Sequence, residues 1–591
     1  MKIIHYNGNS KTNLDYRKEI GDLMPIQLQN PPVFWFTSPL DDVFPDTAKP
    51  FGAASEGTIE MAKNEAEALQ LILRADVQAL LDVTVELECE FDPKVLSLSW
   101  GFLENVYSSH KSWDVADRVL RRAAPCAFPE YISQRDTIDV RPSESRCVYL
   151  TARSTKHTPA GEYHAAVTIR CAAGSERFPV TITVRDVVLP NAWESDYNYE
   201  CWMNIYGLNP NDHYMPKFLN QHQAVYGIEP FSEEYFKLME NYARAARFER
   251  QTTAIIPLFE ILARRMSFTP DGSYVFDWSE FDRVCDIFLD IGKVKYLSGL
   301  HVLMGGDVKQ ESEDPEQHHQ CCWTFEQGPD GRVVPGWVLC NSERGRRHIE
   351  MLFTQLFNHL RERWISERWI QHVADEVQTE TKMRDTLAVY RLIHKLCPQV
   401  KTIDACGYKA LAVYGEELDI HVPIIDQYDQ NHEQYDAIKQ SRSDVWSYTC
   451  IIPQQSYMSR LGDYKLLCTR LLHWYNFKEG LKGYLHWAWD LWSLGDIPNK
   501  PFDDLCCSGH AGDGWLVYPD KDNLDVLEGP RSYAMRDGIE DYELIRIARQ
   551  KDPGRVDTLL RVVIRDATDY TVDHDLFARV RHELFDIACG Q

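Results

Sequence analysis

The sequence predicts a multidomain β plus α/β protein. Residues 1–192 form an N-terminal β-sandwich, and residues 193–591 form a (β/α)8 TIM-like barrel that ends in a helical extension over about 511–591. Three observations predict this. The first 190 residues are short β-rich runs separated by turns. After Asn191 a strand-then-helix rhythm repeats eight times. The chain's 591 residues are too many for one small core.

In the first region, Glu67–Leu73, Leu81–Leu87, Cys147–Leu150, Ala166–Ile169 and Val180–Val188 are rich in β-branched residues, and several alternate apolar with polar positions. Thr158-Pro159-Ala160-Gly161 is one of the turns between them. No catalytic constellation is visible there. In the second region the candidate strands are Tyr197–Met203, Thr252–Leu258, Ser298–Met304, Trp369–Ala374, Lys401–Ala405, Ile420–Ile425, Val445–Ile451 and Gly483–Trp489. Helical patterns over Ser232–Arg247, Ser279–Ile291, Gly345–Trp364, Thr381–Leu396 and Tyr464–Phe477 separate them, with Ser232 and Ser279 as helix starts. A doubly wound sheet is the structural alternative.

Composition narrows the function. Sixty-three Lys and Arg against 89 Asp and Glu give a net charge of −26, which argues against nucleic acid and anionic membranes as partners. The amino terminus, Met1 to Gly8, lacks the apolar run of a secretory signal, and no stretch has the length of a bilayer span. The 16 Cys include adjacent pairs, Cys321-Cys322 and Cys506-Cys507, and read as the reduced thiols of a cytoplasmic protein.

The chemistry is expected at the end of the fourth barrel strand, which stops on Asp375-Glu376. Carboxylates at the carboxyl edge of a barrel strand stand where this architecture mounts catalysis. The bland alternative is that the pair merely favours the amino end of the next helix. Around the same cleft the candidate substrate-binding residues are His301, His372, Tyr428, Trp446, Tyr448, Trp487, Trp489 and Asp490. Alternation puts Trp446 and Tyr448 on one face of strand seven, and Trp487 and Trp489 on one face of strand eight. Each aromatic could equally be core. The cluster His318-His319-Gln320-Cys321-Cys322, in a polar loop after Gly305-Gly306-Asp307, lacks the second spaced pair of a zinc site, so no metal is expected. No phosphate-binding loop, dinucleotide fingerprint or nucleophile elbow is present, so no cofactor is expected.

Three stretches resemble glycoside hydrolase family 123, the retaining exo-β-N-acetylgalactosaminidases. His372-Val373-Ala374-Asp375-Glu376 is similar to the family's His-x-x-Asp-Glu-Pro, with Val377 in place of the proline. Gly483-Tyr484-Leu485-His486-Trp487-Ala488-Trp489-Asp490-Leu491-Trp492 resembles Gly-x-Leu-His-Trp-Gly-x-Asn-x-Trp, with Asp490 in place of the asparagine. Gly512 to Pro519, Arg531-Ser532 and Met535 to Leu544 look like a C-terminal region shared by that family and related proteins. Together with Ala62–Leu73 and Ala160–Tyr163, the resemblance covers nearly the whole chain.

Two consecutive carboxylates at a strand end cannot easily flank a sugar, as ordinary retaining glycosidases require with groups about 5 Å apart. They can both face one side of it, which fits catalysis assisted by the substrate's own 2-acetamido group. The resemblance implies that Glu376 is the general acid and that Asp375 binds the acetamido N–H. It further implies an oligosaccharide or glycoconjugate substrate ending in β-linked N-acetylgalactosamine. Because Asp490 replaces an amide by an anion, a related exo-glycosidase on another amino or acidic sugar stays open, as does a non-catalytic carbohydrate-binding barrel. A homo-oligomer is also left open.

Overall fold

The structure is a computed structural model that describes residues 32–172, 174–205, 221–304, 308–329, 331–492, 501–507 and 509–590. Met1 to Gly8 and Gly305-Gly306-Asp307 lie outside the described residues.

The first region forms two five-stranded sheets. One runs in the order Val33–Thr37, Ala66–Ala75, Glu144–Ser154, Leu96–Ser108, Cys126–Ser133, and the other Gly57–Lys63, Gly174–Val188, Gly161–Cys171, Leu80–Cys89, Ile138–Val140. Leu71, Val148 and Leu150 of the first sheet share an apolar core with Ile59, Val167, Val180 and Ile182 of the second. Alternation explains the choice of residues: Val180, Ile182 and Val184 are buried, while Thr181 and Thr183 between them are partly exposed. Each such aliphatic side chain contributes roughly 1.5–3 kcal/mol by leaving water.

The second region is built on a parallel sheet of nine strands. Its order is Asp444–Val445, Ile420–Val422, Lys401–Ala405, Trp369–His372, Tyr296–Gly299, Thr253–Ile256, Asn198–Cys201, Gly483–His486, Ser447–Tyr448. The two terminal strands are consecutive in the chain, separated only by Trp446. The Trp446 amide donates to the His421 carbonyl (2.9 Å) and the Tyr448 amide to the Pro423 carbonyl (3.1 Å). These bonds draw the two edges of the sheet together into a nearly closed barrel.

Helices Glu233–Phe248, Glu343–Glu362, Glu380–Leu396 and Leu466–Glu479 follow the strands. Ser232, Ser342 and Thr379 cap the first three by accepting a backbone N–H three residues on. Helix Ser279–Asp286 starts at Ser279 as expected but without a side-chain cap at Trp278; the Ser279 N–H donates to Asp277 Oδ1 (3.0 Å). The third barrel strand is also shorter than Ser298–Met304. It ends at Gly299, and Leu303–Met304 joins an antiparallel sheet with Cys321–Gln327 and Val333–Leu339. The chain turns there because the Val302 and Leu303 amides both donate to the Val373 carbonyl, at 3.2 and 2.8 Å.

The C-terminal motif is a structural lock. Helix Pro530–Lys551 carries Asp541, which accepts from Arg470 (2.6 Å) and Arg581 (2.8 Å), and both arginines reach Glu67 of the N-terminal sheets (3.0 and 3.3 Å). Arg531 pairs with Glu130 (2.8 Å), and Arg250 with Glu540 (2.7 Å). All these groups are buried, so removing one partner would strand a charge away from water. Gly538 is required by contact, since a Cβ there would stand 2.4 Å from the Arg470 carbonyl oxygen. Among the described residues no helix is long and apolar enough to cross a membrane.

Candidate active site

The fourth barrel strand, Trp369–His372, ends four residues before Glu376, and its neighbours hold the outgoing chain. Asp404, on the adjacent strand, accepts the Val373 N–H at 2.9 Å and the Ala374 N–H at 3.1 Å through Oδ1. Its other oxygen accepts from the Tyr390 hydroxyl of the following helix. The Glu376 N–H donates to the Ala405 carbonyl at 3.0 Å. Glu376 itself is left-handed, with φ of 45°. A non-glycine residue in that region costs on the order of 1 kcal/mol, and such strain concentrates at sites where a side chain must be aimed.

Across the ring, Tyr448 at the end of strand seven donates its hydroxyl to Glu376 Oε1. The Asp375 side chain beside it reaches solvent. Protein packed around its carboxyl, and then the charge of Glu376, push it up to about 7. Asp375 therefore keeps its proton well above the ordinary carboxylate range.

Below the pair lies a buried polar layer. Glu200 of the first strand accepts from Ser298 Oγ at 2.7 Å and meets His372 Nε2 at 3.2 Å. Trp202 packs edge-on against His301 and His372 with ring centres 5.0 and 5.4 Å away. Burial, then the neighbouring His372, holds His301 neutral, well below the usual histidine range. Ligand atoms of His301, His372 and Asp404 lie within 4.8 Å of one another. The Asp404 oxygens, however, are already taken by two amides and Tyr390, so its carboxylate serves the backbone rather than an ion. The His318–Cys322 cluster is dispersed: His319 turns to Asp385 (3.0 Å), His318 to the Ser312 carbonyl (3.0 Å), and both cysteines are buried in a strand.

Comparison with known proteins bears on this geometry. The family description "Glycoside hydrolase 123, catalytic domain" matches residues 219–548, more than half of the chain. The chain belongs to glycoside hydrolase family 123. Among solved structures, a family 123 glycoside hydrolase from Clostridium perfringens, studied for glycolipid glycan hydrolysis, superposes with a TM-score of 0.71 at 14% identity, covering 94% of this chain and 99% of that one. At that identity the likeness speaks for the fold. A GH10 xylanase from termite gut follows with a TM-score of 0.33 at 9% identity, covering 83% of this chain and 100% of that one. Among curated proteins, none matches.

In this family 123 enzyme the expected site residues separate into two groups. Asp375, Glu376 and Tyr448 meet, and Trp487 stands half-buried at the mouth, where its Nε1 donates to Asp513 Oδ2 (3.0 Å). His301 and His372 are buried beneath the pair rather than exposed to a ligand. Trp446 shares the inward face with Tyr448, as alternation predicts, but sits toward the opposite end of the barrel among Lys295, Lys401 and Lys482. Tyr428 lies outside the ring in a helix, accepting from Lys439 (2.9 Å) and packed on Tyr435 and Tyr475.

Trp489 does not share a face with Trp487. The strand ends at His486, alternation stops with it, and Trp489 is buried against helix Glu233–Phe248, donating to Glu249 (2.7 Å). Asp490 is fully buried too. It accepts the Asn204 N–H (2.7 Å) and the Tyr242 hydroxyl (2.8 Å), and burial raises it to about 7. It therefore anchors the loop after the first strand and does not present an anion to a sugar. Asp404, Glu200, Trp202 and Asp513 went unrecognised in the sequence. Period-2 alternation could have placed Glu200 and Trp202 on the inward face, but nothing local marks Asp404 or Asp513.

Proposed function

We propose that this enzyme removes terminal β-linked N-acetylgalactosamine from oligosaccharides or glycoconjugates, with retention and with the substrate's 2-acetamido group as nucleophile. The observation that carries this reading is that the two carboxyls are consecutive just beyond one strand end, exposed there, and close enough for the charge of Glu376 to act on Asp375. Such a pair suits one side of a sugar ring. We read the parallel barrel as a (β/α)8 barrel over residues 193–591, with its C-terminal helical extension, and the two sheets of 1–192 as a β-sandwich. The Clostridium perfringens relative's link to glycolipid glycans supports a glycoconjugate substrate.

In this reading Glu376 carries the proton once substrate is bound, and Asp375 is ionised so that it accepts from the acetamido N–H and faces the positive charge that develops. The acetamido carbonyl oxygen attacks the anomeric carbon as the glycosidic bond breaks. Glu376 gives its proton to the departing oxygen, and Asp375 steadies the positive charge of the oxazolinium ring. Water then attacks the same carbon, Glu376 takes the proton, and the ring opens back to the amide. Two inversions give net retention. Tyr448 holds Glu376 at the strand's mouth throughout. The free thiols of the described cysteines suit the cytoplasmic setting we propose.

The test is a panel of aryl β-glycosides of GalNAc, GlcNAc and galactose. Cleavage of the GalNAc compound with none of the galactoside is the expected result, and equal cleavage of both overturns the assisted mechanism. Glu376→Gln should lose roughly two or more orders of magnitude on poor leaving groups.

A further inference from the structure

The long connection between strands Leu96–Ser108 and Cys126–Ser133 leaves the N-terminal sheets and reaches the loops that follow barrel strands seven and eight. The Gln455 N–H donates to the Asp114 carbonyl (2.6 Å), the Ala116 N–H to the Gln455 carbonyl (3.2 Å), and the Arg121 N–H to the Asp463 carbonyl (2.8 Å). At the tip stands Trp113, 65% exposed. Its neighbours in the chain are clamped. Asp463 accepts both the Ser112 N–H (2.7 Å) and the Ser112 hydroxyl (2.9 Å), and Gln454 Oε1 accepts the Asp114 N–H (2.7 Å). The Trp113 ring leans on His510, tilted by 58° with 4.3 Å between centres.

A single exposed apolar side chain needs no explanation. An indole whose flanking backbone is clamped on both sides is different, because less backbone freedom is lost when a ligand arrives. The position is also informative. His510 lies three residues from Asp513, a span of at most roughly 10 Å of chain. Asp513 holds Trp487 at the mouth. Cys450 is on the loop that carries Gln454: burial foremost, and also the charges of Asp513 and Glu376, push its thiol up to about 12. Of the twelve large exposed hydrophobics among the described residues, four (Tyr107, Trp113, Ile452 and Phe502) lie on the segments that meet at this seam.

We infer that Trp113 is the platform for the aglycone, stacking under the C–H face of a sugar that follows the terminal residue bound at Asp375 and Glu376. The inference rests on the proposed hydrolysis and adds to it that the N-terminal region supplies a substrate contact. A sugar is the occupant favoured here because the seam is mixed: next to Trp113 in the chain Asp114 accepts from Gln455 (2.9 Å), and on the same connection Ser109 donates its N–H to Asp504 (2.9 Å), polar groups that suit hydroxyls.

The experiment compares wild type, Trp113→Ala and Trp113→Phe on p-nitrophenyl β-GalNAc and on oligosaccharides that end in GalNAc β-linked to galactose. The ratio of kcat/KM for glycan over aryl glycoside is expected to fall roughly tenfold in Trp113→Ala, chiefly through KM, and to recover in Trp113→Phe. An unchanged ratio, or equal losses on both substrates with a lowered Tm, overturns the inference. A loss seen only with ceramide-linked substrate also overturns it, in favour of a lipid contact. Failure of the underlying hydrolysis is visible separately, as wild type that cleaves neither GalNAc compound.

Discussion

The hydroxyl of Tyr448, at the end of the seventh barrel strand, donates to Oε1 of Glu376, at the end of the fourth. Two residues 72 positions apart are thus joined across the barrel mouth, and each limits how the other can move. A hydrogen bond to a carboxylate is worth roughly 1.5–3 kcal/mol, about one to two orders of magnitude in rate if it is needed in the transition state. Tyr448→Phe is therefore expected to lower kcat by about that factor while leaving Tm close to wild type. Steady-state kinetics on a poor leaving group checks it, and full activity would remove Tyr448 from the aiming of the acid.

Asp404 touches no substrate in the proposed mechanism, yet its carboxylate fixes the two amides that precede Asp375. In Asp404→Ala the Val373 and Ala374 amides and the Tyr390 hydroxyl all lose their shared acceptor, leaving buried donors unpaired. The expected cost is roughly 1–3 kcal/mol of stability. Catalysis should fall with it, because the left-handed turn at Glu376 loses its support. Urea unfolding together with kcat measures both. A variant as stable as wild type would show the clamp to be dispensable.

Asp375 makes a prediction about pH. Its folded carboxyl sits near 7, above the ordinary range, so the folded state binds that proton more tightly than the unfolded chain does. The associated stability is full below the ordinary carboxylate range and is lost as pH rises through about 7. Asp375→Asn is expected to match wild type in Tm near pH 4 and to exceed it near pH 8, while losing activity. A Tm difference that stays constant across that window would show that Asp375 ionises normally.

Asp490 stands where the family pattern has asparagine. Because it is buried on the Asn204 amide and the Tyr242 hydroxyl, Asp490→Asn can keep the first bond and reverse the second, with Tyr242 accepting. The preference between GalNAc and GlcNAc substrates is expected to be unchanged, and Tm above pH 7 to rise, since a buried carboxyl raised to about 7 no longer has to ionise. An altered sugar preference would place residue 490 in contact with substrate.

Much of this was legible in the linear text because its signals are local. Strand Lys401–Ala405 and helix Glu380–Leu396 announce themselves through alternation and a helical apolar stripe, and the acid pair follows a strand that ends at His372, two residues earlier than the expected Ala374. The misplaced residues fail for a common reason. Period-2 alternation says which face a side chain takes only while the strand lasts, and Gly483–His486 ends before Trp489. Even where alternation holds, as for Trp446 and Tyr448, it does not say which end of the barrel a side chain occupies.

By itself, then, the sequence determined the order of strands and helices and the placing of two adjacent carboxyls at a strand terminus, since these depend on neighbours within a few residues. Only the tertiary structure decided which distant groups act on them: Asp404 on the backbone before the pair, Tyr448 on Glu376, and Asp513 on Trp487. Those contacts join segments tens of residues apart. They exist only because ring closure brings strand ends to one rim, where burial and neighbouring charge reset what each group does.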